Sequence, residues 1–314
     1  HNIVSDGWSL GVFLRDLAAL YEAAQAGRPA GLADLPLQYG DYAAWQHGHL
    51  QGVELERQLG YWRQRLAGLP GRLALPPDRP RPAVQSHAGA VLPFDLSPGL
   101  TRALEALAAG SGTSLHMVLS AVLSVLLARW SGQDDIAIGT PVAGRRHEAL
   151  EGLIGFFVNT LVLRAEIDRA EPFAALLARL REDALAAQAH QDLPFDQLVE
   201  ALQPARDLSH APLFQVMLAL QNAPMGAMEF GGLRLDPVGV AVGATKFDLT
   251  FSLQQLPGQA GLTGAIEYAT DLFDAATVAR LAAQFCQLAA ACAAAPETRI
   301  GVLPLMDAAE RAAV

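Results

Sequence analysis

The chain reads as an α/β protein, in the layered α+β sense, and three observations carry that reading. Segments with an apolar period of three to four residues alternate with short apolar or β-rich segments. Gly and Pro clusters fall between these segments and not within them. At 314 residues, 52% hydrophobic and 17% charged, the chain can bury a large core.

The elements follow in order. After Asp6-Gly7, the spacing of Trp8, Phe13, Leu14, Leu17, Leu20 and Tyr21 predicts an amphipathic helix that ends at Gly27 and Pro29. Residues 38–66 read as one or two helices, with Tyr42, Trp45, Leu59 and Trp62 as core anchors. Five prolines in residues 70–82 exclude a helix or a sheet interior and predict an extended surface linker.

Beyond it the pattern predicts a strand over 88–95, a helix over 97–109 and a buried helix over 114–130. A strand over 135–142 leads to a loop carrying Gly144, Arg145 and Arg146. A strand over 157–167, a helix over 172–189 and a helix opening at Pro194 come next. Strands over 213–220, 233–242, 247–255 and 262–268 and a helix over 275–295 complete the set.

Composition excludes several functions. The net charge is −10 and Lys246 is the single lysine, so the chain lacks the basic footprint of a nucleic-acid binder. The apolar run 115–130 is short for a bilayer and holds His116 and Arg129, which favours a buried helix over a membrane span. Cys286 and Cys292 are six apart, so neither a metal spacing nor a disulfide framework is present, and two buried reduced thiols in a cytoplasmic protein are expected. No Gly-rich phosphate loop or GxSxG elbow occurs.

Five short motifs remain. They are His1-Asn2-Ile3-Val4-Ser5-Asp6-Gly7, Tyr39-Gly40-Asp41-Tyr42-Ala43-Ala44-Trp45 and Ile154-Gly155-Phe156-Phe157-Val158-Asn159-Thr160 with Arg164 beyond it. His190-Gln191-Asp192-Leu193-Pro194-Phe195-Asp196 and the stretch Arg206 to Val216 complete the series. In this order they resemble the motifs of the condensation domains of nonribosomal peptide synthetases, the first being similar to the HHxxxDG signature.

The resemblance implies a two-lobed fold like chloramphenicol acetyltransferase, with a substrate tunnel between the lobes. Residues 1–50 correspond to the end of the N-terminal lobe, whose front is missing. Residues 51–314 correspond to the C-terminal lobe and end at the join to an adenylation domain, which the stretch 300–311 resembles. Upstream and downstream carrier proteins are the implied partners. Each presents a phosphopantetheine-tethered substrate, so the domain binds no cofactor or metal of its own. The implied reaction joins a donor aminoacyl or peptidyl thioester to an acceptor amine as an amide.

Asn2 stands at the position of the family's catalytic histidine. Asparagine can hydrogen-bond but has no useful basicity. Alignment of the reactants survives its presence, so attenuated activity is expected. His1 is expected to pack and Gly7 to allow close approach of substrate or backbone. Asp6 has two readings: a helix cap, or one half of a structural ion pair with Arg145, with Arg146 as the fallback.

Trp8, Asn159 and Thr160 are the candidate tunnel residues, although a strand residue such as Asn159 can equally satisfy local hydrogen bonds. His190 reads as a structural histidine, and Asp207 and Ser209 as loop-fixing residues. Two rivals stay open: an epimerisation domain of the same fold, and a catalytically silent scaffold that docks carriers.

Overall fold

The computed structural model describes residues 3–204, 207–221, 228–235, 243–256 and 258–306. Eight α-helices and eight strands occur among them. In chain order they are α1 (Gly7–Gln25), α2 (Tyr39–His49), α3 (Gly52–Arg65), β1 (Gly89–Leu96), α4 (Pro98–Ser111), α5 (Leu115–Ser131), β2 (Asp135–Val142) and β3 (Asn159–Glu166). Then come α6 (Phe173–Ala189), α7 (Phe195–Leu202), β4 (Val216–Gln221), β5 (Met228–Phe230), β6 (Leu233–Leu235), β7 (Leu249–Gln254), β8 (Leu262–Ala269) and α8 (Ala275–Ala294).

Six strands form one mixed sheet in the order β1-β8-β7-β4-β2-β3. Its outer pairs, β1–β8, β7–β8 and β2–β3, are antiparallel, while β4 runs parallel to both β2 and β7. The parallel seam between β2 and β4 is narrow, with Gly139 set against Met217. Gly139 is required there because a side chain would collide with the Phe214 ring.

α5 crosses the centre of the molecule. Ser114 caps it by accepting from Met117 N at 3.2 Å, and every residue from Met117 to Ala128 is buried. Gly112 and Gly132, both left-handed, end α4 and α5. α8 has the length and mean hydropathy of a membrane span, 1.2 over 18 residues. It is nevertheless a core helix: Leu281, Phe285 and Leu288 are buried, and the Phe285 ring meets those of Phe251 and Phe94.

Several expectations need correction. The proline-rich stretch 70–82 has no helix or strand and is mostly exposed, as a surface linker should be, but it is pinned to the core at a few points. Leu73 and Leu75 are buried, Leu73 N donates to Gln215 Oε1 at 2.7 Å, and Arg81 pairs with buried Asp248 through both its terminal nitrogens. Proline removes donors from this stretch, and side chains just ahead of β4 and β7 supply the fixings instead.

The strand expected from Leu213 begins at Val216, because Leu213 takes a left-handed φ of 67°. Of the strand expected over 233–242, Leu233–Leu235 pairs with β5 as a two-stranded hairpin, and 236–242 lie outside the described residues. Trp45, expected in the core, is 54% exposed. Cys292 is buried, but Cys286 is only partly so. Burial pushes the two thiols up to about 12 and about 11 respectively, so both stay protonated at neutral pH.

Candidate functional site

His1 and Asn2 lie outside the described residues, so the site is built from Asp6 onward. Asp6 is the N-cap of α1, and its Oδ1 accepts from Ser9 N at 2.8 Å. The same oxygen lies 3.3 Å from Arg145 Nη2, and Oδ2 accepts from Phe157 N at 3.0 Å. The two readings of Asp6 are therefore compatible: one carboxylate caps the helix and pairs with Arg145. Arg146 instead bonds Asp192 at 2.8 Å.

The pair is deeply buried, with side chains 1% and 2% exposed. Burial is the largest single influence on Asp6 and pushes its pKa up. Hydrogen bonds from Ser9 and Phe157 and the Arg145 charge together outweigh it, leaving the carboxyl below its ordinary 3.8. Arg145 donates on to the carbonyls of Leu150 and Leu153 and lies 4.0 Å above the Phe157 ring.

Ser9 is the residue that sequence reasoning misses. It is wholly buried, and its hydroxyl sits at a junction. Asp6 Oδ1 and Gly155 O lie 2.7 and 2.8 Å away as acceptors, while Arg145 Nη2 and Gly155 N donate at 2.9 and 3.1 Å. The sequence does hold a signal for it. A serine three residues after an aspartate N-cap occupies the turn whose free N–H the cap satisfies.

Two glycines let the pieces meet. Gly144 has a left-handed φ of 68°, and a side chain on it would strike the Phe157 carbonyl. Gly155 leaves room for the Tyr39 ring. Tyr39 and Tyr42 pack on Phe157 with Leu150 and Leu153, forming a second, smaller core beneath the clamp. Around Gly7, no described atom beyond its chain neighbours and its own helix lies within 4 Å of where its Cβ would be, so no distant described backbone approaches it.

Trp8 is 40% exposed, and its indole N–H donates to Glu151 O at 2.9 Å. Asn159 spends its whole amide on backbone. Nδ2 donates to Gln191 O and Leu193 O, and Oδ1 accepts from Thr160 N and Phe195 N, all within 3.0 Å. It thereby joins the start of β3 to the 190–196 motif. Thr160 is half-buried on β3.

His190 stacks on Tyr61 at 4.1 Å, and Arg57 donates to its Nε2 at 2.9 Å. An arginine can only donate, so Nδ1 carries the proton, directed at Ala186 O. The His190 carbonyl accepts from buried Trp62 at 3.0 Å. Asp207 Oδ1 holds Ser209 N at 2.8 Å. His49, Glu54 and Asp192 bring ligand-type atoms within 4.8 Å of one another. Arg57 and Gln58 already donate to Glu54, and Arg146 to Asp192, so cationic or donor groups satisfy these carboxylates.

The arrangement ties Asp6 and the first turn of α1 to Gly155 and Phe157. Known proteins share the fold that carries it. The condensation domain family matches residues 1–314. One chain of the linear gramicidin synthase of Brevibacillus parabrevis is 49% identical over 99% of this chain, which spans 4% of that protein. The X-domain in its complex with OxyB from teicoplanin biosynthesis is 32% identical, with a TM-score of 0.86 over 98% of this chain and 69% of the X-domain chain. A four-domain nonribosomal peptide synthetase bound to AMP and glycine is 26% identical, with a TM-score of 0.87 over 98% of this chain and 24% of its own. With the fold matching that of such domains, and its single mixed sheet chloramphenicol acetyltransferase-like, the chain belongs to the condensation domain family.

Proposed function

We propose that this chain belongs to a peptide-bond-forming condensation domain within a modular synthetase. The observation that carries the reading is the Asp6–Ser9–Arg145 clamp, which ties the start of α1, directly after the first motif, to Gly155 and Phe157. Residues 1–50 complete an N-terminal lobe that precedes them, and residues 51–314 form the C-terminal lobe. The stripe of Trp8, Leu10, Phe13, Leu17 and Leu20, exposed along α1, supports such a covering lobe. Carrier proteins deliver the donor and acceptor thioesters on phosphopantetheine, and an adenylation domain follows. The domain works in the cytoplasm and binds no cofactor itself.

The acceptor amine nitrogen attacks the donor thioester carbon, the C–S bond breaks, and the pantetheine thiol leaves. The new amide nitrogen must lose a proton. A rigid loop supplies alignment, which is worth about 7–11 kcal/mol in favourable cases. Asn2 can bond the amine or the developing oxyanion but cannot take the proton. Restoring the base by Asn2→His is expected to raise the single-turnover rate by roughly 10²–10⁴-fold. Equal rates for the two forms, with carrier-loaded substrates, would show that alignment alone does the work.

A second reading has its own support. Asn2 together with the likeness to an X-domain complexed with OxyB fits a silent docking domain. Loaded carriers that bind without forming any amide, even in the Asn2→His form, would select it.

A further inference from the structure

The N-terminus of α5, the C-terminal ends of β2 and β4, β3 and the C-terminal half of α6 line an open cavity of about 410 Å³. Leu115, Val142, Leu161, Leu163 and Leu220 supply its apolar wall, and Ser114, His116, Thr140 and Gln188 a polar share of similar area. At its back His116 Nε2 meets Thr140 Oγ1 at 2.8 Å. Among the described residues, no Asp, Glu, Lys or Arg lines it. Burial pushes the His116 imidazole down from 6.5, against a raising contact with the Leu218 backbone, so the ring is neutral at pH 7.

None of the clamp residues borders this space. It is nevertheless close to them in the chain. β2 carries Thr140 and Val142 and runs directly into Gly144-Arg145, and Val142 faces Asn159 across the sheet. A cavity of this size, uncharged, with an apolar wall facing a few neutral polar groups, has the make-up of a small-molecule subsite.

We propose that this cavity is a side-chain subsite that takes the uncharged, largely apolar side chain of one aminoacyl substrate against the His116–Thr140 pair. Its use in catalysis rests on the condensation reading above, whereas its ability to hold a neutral group does not. An ionised side chain entering it would lose its water and find no counter-charge.

The first arm of the test uses the chain alone with benzyl alcohol, benzylammonium and benzoate, which share a ring and differ in charge. Benzyl alcohol is expected to shift the His116 ring resonances saturably, and both ions to bind at least about tenfold more weakly. Leu220→Trp should fill the cavity and abolish the shift. Gln188→Trp, placed on the exposed face of α6, is the independent blocker should the first disturb folding. The absence of a saturable shift, equal binding of the ions, or binding that persists in a folded blocked variant overturns the subsite.

The second arm compares carrier-loaded leucyl and valyl thioesters with aspartyl and lysyl ones. The apolar pair is expected to react about tenfold faster or more, and the gap to close in the blocked variant. Amide formation with no such preference, or a preference untouched by blocking, overturns the substrate role. Benzyl alcohol binding with no amide formed at all would instead sink the condensation reading and support the neutral-ligand site.

Discussion

The core under α5 and the clamp under α1 hold themselves together by different physics. Around α5 and α8 the contacts are apolar, numerous and shared, so each residue contributes by the area it hides. In the clamp a few charged and polar atoms each meet several partners and are almost unexposed. Removing one member there strands another. The core therefore resists gradually, and the clamp is expected to fail one residue at a time.

The largest expected effect tests the core. Phe285→Ala should cost about 3–5 kcal/mol and move the whole denaturation transition. Arg145→Ala comes next, at about 3 kcal/mol, since it leaves the Asp6 carboxylate buried and unpaired. Its signature should be local: hydrogen exchange rising across residues 6–9 and 153–157 more than in β7 and β8. A uniform rise would mean that the two regions unfold together.

Acid should weaken the clamp in a gentler way. The folded pKa of Asp6 lies below its ordinary 3.8, so the carboxylate's contribution is complete above that value and fades as pH falls through the lower folded one. Urea midpoints at pH 7 and pH 3 should converge in Asp6→Asn relative to the parent. Ser114→Ala, which removes the α5 cap, is expected to cost about 1 kcal/mol. The smallest effect belongs to Phe13→Ser on the open face of α1, within about 0.5 kcal/mol for this chain. A large loss there would mean that α1 is buried by something, such as a second copy.

Much of the fold is legible in the sequence because period and punctuation agree. Gly112, Ser114 and Gly132 bound α5 in the sequence as they do in space. In the linker at 70–82 the prolines announce the lack of regular structure but not the anchoring: Leu73 and Leu75 are buried, and Leu73 is held by a partner 142 positions away that no local window sees. Trp45 escapes such reading because its motif marks a helix whose aromatic face covers only a small core, leaving the indole outside. Asp6 and Arg145 are paired by resemblance, since 139 positions separate them in the chain. Ser9 needs three dimensions, because nothing local links it to Gly155.

Asn159 carries a consequence for how the protein ages. Its Nδ2 faces two carbonyl oxygens at 2.8 Å. Deamidation would exchange those donated protons for a negative oxygen pressed against both carbonyls, with a mass change of about one dalton. The held amide is shielded from the backbone attack that starts such damage only while β3 and the 190–196 segment stay joined. A preparation that loosens there would accumulate a chemical scar at the same place, and intact-mass drift on storage would read out the integrity of this joint.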